Sequence, residues 1–186
     1  YQHLVYGDAQ FTSIVESELE DRWIIINGVS KSHAMTGWRV GWMAGPTDVI
    51  SAAARMQSHL TSNVNNIAQR AAIAALNGPW DSVETMRLAF DQRRRTMMAM
   101  LGDMADVTFV EPKGAFYVFA DFSAHLGDRF PTTIDLAGWI LDEAGVALVP
   151  GEAFAAPGHA RLSYALGDDD LVRGLERLGN LIDQPK

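Results

Sequence analysis

Two residues stand out for the chemistry their positions allow. Lys31 follows closely on the run Arg22 to Asn27 (RWIIIN), whose isoleucines read as a strand buried on both faces and ended by Gly28. An amine in a loop just beyond such a strand sits where desolvation favours its neutral form, and a neutral amine is a nucleophile able to condense with a carbonyl. Arg39 lies eight residues further on among Trp38, Val40 and Trp42, at the entry to a second apolar run. A guanidinium buried there requires an anionic partner, a carboxylate or a phosphate. Each has an ordinary reading when taken alone: a solvated loop lysine and a structural strand arginine. Their combination in one short segment is what carries information.

The elements that must position these residues can be read from the spacing of apolar side chains. Trp38 to Ala44 (WRVGWMA) predicts a strand stopped by Gly45-Pro46, so the segment reads strand, loop, strand. Thr47 is expected to cap a helix carrying Val49, Ala52, Ala53 and Met56 on one face. A second helix, from about residue 65 to Leu76, is rich in alanine and stops at Asn77-Gly78-Pro79, and a long helical pattern runs from Trp80 to about Met104. Its basic run Arg93-Arg94-Arg95 reads as a solvated helix face. Beyond it the period changes. Strands are expected at 107–110, 115–120, 146–149 and 159–164, with helices at 133–143 and 168–182. The first half is therefore α/β and the second a mixed α+β unit, with a boundary near Asp91.

Composition sets the outer limits. The chain has 186 residues, 48% of them hydrophobic and 20% charged, which fits one ordinary domain or two small lobes and excludes fibrous and disordered classes. Its formal charge of -8 argues against nucleic acid or an anionic membrane surface as the main partner. There is no cysteine, so disulfides and thiolate metal sites are ruled out, and no apolar run approaches the length of a membrane span. No set of His, Asp and Glu has metal-ligand spacing on a shared face, so no metal is expected, and His33 and His59 read as surface or packing residues. A cytoplasmic location is the default expectation. The chain opens on Tyr1-Gln2-His3-Leu4-Val5-Tyr6 without an initiator methionine, which reads as a cut through a larger protein.

The segment Ser30 to Trp42 resembles the active-site signature of the class I/II aminotransferases, pyridoxal-phosphate enzymes of fold type I, and particularly their aspartate and aromatic aminotransferase subgroup. Ser30, Lys31, Met35, Thr36, Gly37, Trp38, Arg39 and Gly41 all match the pattern S-K-x-x-x-M-T-G-W-R-x-G. The first residues look like the continuation of the family's D-E-x-Y stretch. His159-Ala160-Arg161-Leu162-Ser163-Tyr164-Ala165 resembles its R-[LIV]-S-[YF]-[AS] strand, and Gly114 to Tyr117 and Val149 to Phe154 resemble small-domain segments.

The resemblance implies the C-terminal part of the fold-type-I large domain, residues 1–90, followed by an α+β small domain, residues 91–186. It implies that Lys31 holds pyridoxal 5'-phosphate as an aldimine and moves the substrate α-proton, and that Arg39 pairs with the cofactor phosphate. Tyr1 would be the tyrosine that bonds the ring oxygen. Family members often carry a phosphate-binding serine where this chain has Gly28, and Ser30 is the nearby hydroxyl that could replace it. Arg161 would clamp the substrate α-carboxylate, a bidentate task suited to a planar guanidinium. Phe116 and Phe154 either border the substrate or belong to the core. The segment Leu60 to Asn63 corresponds to one at the family's homodimer interface. The implied reaction moves an amino group between an amino acid and a 2-oxo acid, with the fragment alone inactive. Two alternatives use the same fold: a pyridoxal-phosphate lyase, or the effector-binding domain of a transcription regulator.

Overall fold

Short strands and helices, two of the helices with side-chain N-caps, build the molecule, a computed structural model that describes residues 1–20 and 22–183. Residues 184–186, the end of the expected small domain, lie outside the described residues. The chain divides into two compact units, Tyr1–Met86 and Arg87–Lys186.

In the first unit, β1 (Ile25–Gly28) and β2 (Gly41–Ala44) form an antiparallel pair in which Gly28 faces Gly41 and Asn27 faces Trp42. The expectation that β1 is buried on both faces does not hold. Ile26 is 82% exposed, because among the described residues little packs over its face of the two-stranded pair. The second strand is also shorter than expected. Thr36–Trp38 form a 3-10 turn and Arg39 takes a left-handed conformation, φ 50° and ψ 47°, which breaks the extended chain before Gly41. Helix α1 (Thr47–Leu60) follows, with Pro46 rather than Thr47 at its N-cap and no side-chain cap. Proline there has its φ pre-set and lacks only a donor the helix start does not use. Helix α2 (Asn66–Asn77) is capped by Asn65, whose Oδ1 accepts the N–H groups of Ile67 at 2.8 Å and Ala68 at 3.1 Å. Ala68 and Ala72 are its buried face.

Helix α3 (Asp81–Gly102) leads into the second unit. There β3 (Thr108–Phe109), β4 (Tyr117–Asp121), β5 (Val149–Pro150) and β6 (His159–Ser163) form a four-stranded antiparallel sheet in the order β3-β4-β6-β5. Val118, Ala120, Ala160 and Leu162 fill the buried face. The period of two then turns Tyr117, Phe119, Asp121, His159 and Arg161 to the other side. Helices α4 (Thr133–Ala144) and α5 (Asp168–Ile182) pack together. Thr132 and Asp135 close a capping box at the start of α4, and Gly145 ends it at φ 64°. Leu171, Leu175, Leu178 and Ile182 form the buried stripe of α5, and Asp168, Asp169 and Asp170 sit at its positive end.

The basic run on α3 departs from its expected solvated role at one position. Arg94 is only 5% exposed. It donates from Nε to Asp91 Oδ1 at 2.9 Å and from a terminal nitrogen to Glu111 Oε1 at 2.7 Å and the Pro112 carbonyl at 3.2 Å. Arg95 bonds the other oxygen of Asp91 at 2.5 Å. Burial pushes the Asp91 carboxyl up, but the hydrogen bonds and charge of Arg94 and Arg95 outweigh it and hold the group below the usual carboxylate range. Removing the central cation strands a buried carboxylate. Arg94→Ala is therefore expected to lower the unfolding free energy by about 3 kcal/mol in a denaturant melt. The neighbouring Arg93→Ala, which loses a pair with the exposed Asp168 and a contact with the Phe90 ring, should cost about 1 kcal/mol.

Candidate functional site

The β1–β2 pair brings the Lys31 loop and Arg39 back to one place. A Cβ on Gly41 would lie 2.8 Å from the Asn27 carbonyl oxygen, and one on Gly28 would lie 3.0 Å from that of Val40. Only glycine at both positions permits this approach, so the excursion from residue 29 to 40 begins and ends at the same point. Lys31 lies in a turn closed by the His33 N–H donating to the Val29 carbonyl at 3.1 Å. Val29, fully buried, and Ser32, 9% exposed, anchor that turn.

Arg39 is exposed rather than buried, contrary to the expectation from its neighbours, because the left-handed backbone turns it out of the strand. Its guanidinium donates to the Thr36 carbonyl at 3.0 Å and has no carboxylate partner among the described residues. A non-glycine residue held at positive φ costs on the order of 1–3 kcal/mol and persists where surrounding structure imposes it.

The N-terminal segment completes the pocket. Leu4 and Tyr6 are buried, 0% and 2% exposed, and fix the segment, while Tyr1 stays 45% exposed. Asn27 donates from Nδ2 to Gln2 Oε1 at 3.0 Å, and the Gln2 amide nitrogen lies 2.8 Å from His3 Nε2. The resulting cavity, about 460 Å³, is lined by Tyr1, Ser30, Lys31 and Arg39 together with His3, Trp42 and Trp80. Among the described residues that line it none is acidic, and its charged side chains are those of Lys31 and Arg39. All four cofactor residues expected from the sequence line this pocket.

His3 and Trp80 are the residues that the sequence reading passed over. The His3 and His33 rings both contact Trp80, with centroids 4.6 Å and 4.8 Å away. His33 Nδ1 is 2.9 Å from Ser32 Oγ, while its Nε2 is buried without a partner. The signal for His3 was its place two residues after Tyr1. Trp80, far along the chain, had none. The His3 imidazole is held below the ordinary histidine value by burial first, then by the charge of His33.

Arg161 lies in the second unit, opposite Phe119 in the β4–β6 register. Its guanidinium carbon is 4.4 Å from the Tyr117 ring centroid and 4.9 Å from that of Phe154. It has no carboxylate partner among the described residues and borders a cleft of about 710 Å³. The two phenylalanines separate: Phe116 is 8% exposed and packs on Phe90 in the core, while Phe154 is 45% exposed beside Arg161. The Leu60 to Asn63 segment is an exposed turn after α1, with Ser62 at φ 59°. No group of three or more His, Cys, Asp or Glu among the described residues could hold a metal ion.

A primary amine and a guanidinium lining one cavity are groups that can condense with a carbonyl and hold an anion. The model of the family "Aminotransferase class I and II" matches residues 1–178, and the chain belongs to that family. It is 54% identical over 193 residues to an aspartate aminotransferase of Streptomyces avermitilis, covering 100% of this chain and 47% of that protein. Among solved structures, the aspartate aminotransferase of Rhizobium meliloti matches with TM-score 0.89 and 36% identity over 99% of this chain and 48% of that one. An aromatic aminotransferase from Pyrococcus horikoshii matches with TM-score 0.91 and 36% identity, again over 99% of this chain and 49% of that one. The chain thus spans about half the length of the relatives it matches. The family and these names favour an aminotransferase over the transcription-regulator and lyase readings.

Two measurements probe the pocket. Gly41→Ala forces a Cβ onto a carbonyl oxygen and should destabilise the first unit by about 1–3 kcal/mol in thermal or denaturant unfolding. Gly37→Ala, with nothing within 4 Å, should change it by about 0.5 kcal/mol or less. In an NMR titration, the His3 midpoint should fall below 6.5 and rise when His33 is replaced by Asn. The neutral imidazole is the favoured folded form, so its contribution to stability is present above about pH 6.5 and is lost as pH falls through the lowered midpoint.

Proposed function

We propose that the full-length protein containing this chain is an aminotransferase, moving an amino group between an amino acid and a 2-oxo acid, with pyridoxal 5'-phosphate in the pocket around Lys31. The observation that carries this reading is the convergence of Tyr1, Ser30, Lys31 and Arg39 on one cavity. The donor set fits the group: a primary amine for an aldehyde, a guanidinium without a carboxylate partner for a phosphate, and a phenol and a hydroxyl as hydrogen-bonding groups. When bound, pyridoxal phosphate supplies a carbonyl that condenses with amines and a ring that takes up the electron pair left on a deprotonated carbon.

The chain's own residues then have distinct tasks. Lys31 Nζ would hold the cofactor and, as a free amine, would take the proton from the substrate α-carbon. Arg39 would neutralise the phosphate, with the Ser30 hydroxyl as a further donor, and the Tyr1 phenol would donate to the ring oxygen. Arg161 pairs with the substrate α-carboxylate and so fixes which α-carbon bond faces the lysine. Residues 1–90 are the end of the large cofactor-binding domain and residues 91–186 the small domain. The relatives' names make aspartate the first amino donor to test. We further propose a homodimer, with Leu60 to Asn63 at its interface, and a cytoplasmic location. No helix of the described residues is long and apolar enough to cross a membrane.

In the full-length protein, Lys31→Ala should abolish both aspartate turnover and the near-visible absorbance of lysine-bound cofactor; an unchanged spectrum would remove Lys31 from this role. Arg39→Leu should weaken cofactor binding roughly tenfold to a hundredfold by equilibrium dialysis, the loss expected for a charged hydrogen-bonded contact.

A further inference from the structure

Arg94 and Arg161 are both held by their surroundings, but in opposite ways. Arg94 spends its N–H donors on Asp91, Glu111 and the Pro112 carbonyl, so it has little left to offer a ligand. Arg161 is held by ring contacts alone among the described residues, at 4.4 Å from Tyr117 and 4.9 Å from Phe154. A guanidinium stacked on an aromatic face is oriented and partly compensated for its charge while its in-plane N–H donors remain available.

We propose that Tyr117 and Phe154 are positioning residues for Arg161, holding its guanidinium ready for a carboxylate before substrate arrives. This rests on the reading of Arg161 as the carboxylate-binding residue. Tyr117 and Arg161 share a sheet face by strand register, Tyr117 on β4 and Arg161 on β6. Phe154 comes from a separate element, the 3-10 turn Gly151–Phe154, and that turn is tightly fixed. A Cβ on Gly151 would lie 1.9 Å from the Ala156 carbonyl oxygen, and the Ala156 N–H donates to the Gly151 carbonyl at 2.9 Å. Glu152 Oε1 accepts the Thr133 N–H at the start of α4 at 2.9 Å, tying the turn to the helix. Phe154 in turn meets Phe119 edge-on at 5.7 Å, and Phe119 stacks on His159 at 5.2 Å. An exposed phenylalanine carried on a fixed turn, backed by Phe119 and set against a cation, is a fixed wall. Without the rings, binding a carboxylate would also have to order a long side chain.

The test uses the cofactor-loaded full-length protein and maleate, an unreactive dicarboxylate, followed by the shift it causes in cofactor absorbance. Arg161→Gln sets the reference and should weaken maleate binding by about a hundredfold. Phe154→Leu and Tyr117→Leu should each weaken it about three- to tenfold, raising KM for aspartate by a similar factor with a smaller change in kcat. The ring-retaining Phe154→Tyr and Tyr117→Phe should stay within about twofold of the parent, and cofactor affinity should be unchanged throughout. Because Phe154 is 45% exposed, its leucine variant decides the matter even if Tyr117→Leu fails to fold. Parent-like maleate binding by Phe154→Leu, or equal losses in the ring-retaining variants, would overturn the positioning role while leaving Arg161 in place. Parent-like binding by Arg161→Gln would instead overturn the reading of Arg161 itself.

Discussion

The close approach of two backbones at Gly28 and Gly41 is the constraint on which the first unit's pocket depends. With 2.8 Å available where a Cβ would meet the Asn27 carbonyl oxygen, no side chain fits without moving one strand. That approach turns a stretch of chain from residue 29 to 40 into a closed excursion, and it returns Arg39 to the cavity that Lys31 enters. The left-handed backbone at Arg39 follows from the same geometry, since the chain must reverse out of the 3-10 turn Thr36–Trp38 before it pairs at Gly41. Strain at one residue is thus balanced by strand pairing and by the buried anchors Val29 and Leu4.

Three arginines illustrate how environment assigns a role to one side chain. Arg94 is buried and saturated by two carboxylates and a carbonyl, so it stiffens the second unit. Arg39 makes one backbone contact and faces a cavity with no acidic lining among the described residues, which leaves its charge available to an anion. Arg161 is braced by aromatic rings, which orient it without occupying its donors. The net charge of the chain is negative, yet the charged residues of the Lys31 cavity are cationic. Overall charge therefore limits the size and kind of anionic partner, while local placement decides whether a small anion can bind.

Much of this was legible in the residues. The helices at Asn66–Asn77, Thr133–Ala144 and Asp168–Ile182 follow from their apolar spacing, the first two also from their caps, and the four residues that meet at the Lys31 cavity were singled out by one motif and the opening tyrosine. What the sequence misjudged has a common cause. The isoleucines of β1 suggested burial on both faces, but burial depends on what else covers a strand, and Ile26 stands open. Apolar neighbours suggested a buried Arg39 in an extended strand, but a single positive φ turned it outward. The Arg93-Arg94-Arg95 run looked like a solvated face, but helical rotation buries only the middle member, next to Asp91.

By itself, the sequence determined the types of group available and their local settings: a lysine beyond a strand, an arginine eight residues on, an arginine in a later strand, and glycines where chains must pass closely. These are local because capping, periodicity and steric exclusion act over a few residues. Only the tertiary structure decided that Trp80 lines the Lys31 pocket with His3 while also meeting the His33 ring, and that Phe154 rather than Phe116 lies against Arg161. Such contacts join positions far apart in the chain, and their distances follow from how elements pack rather than from any spacing along the sequence.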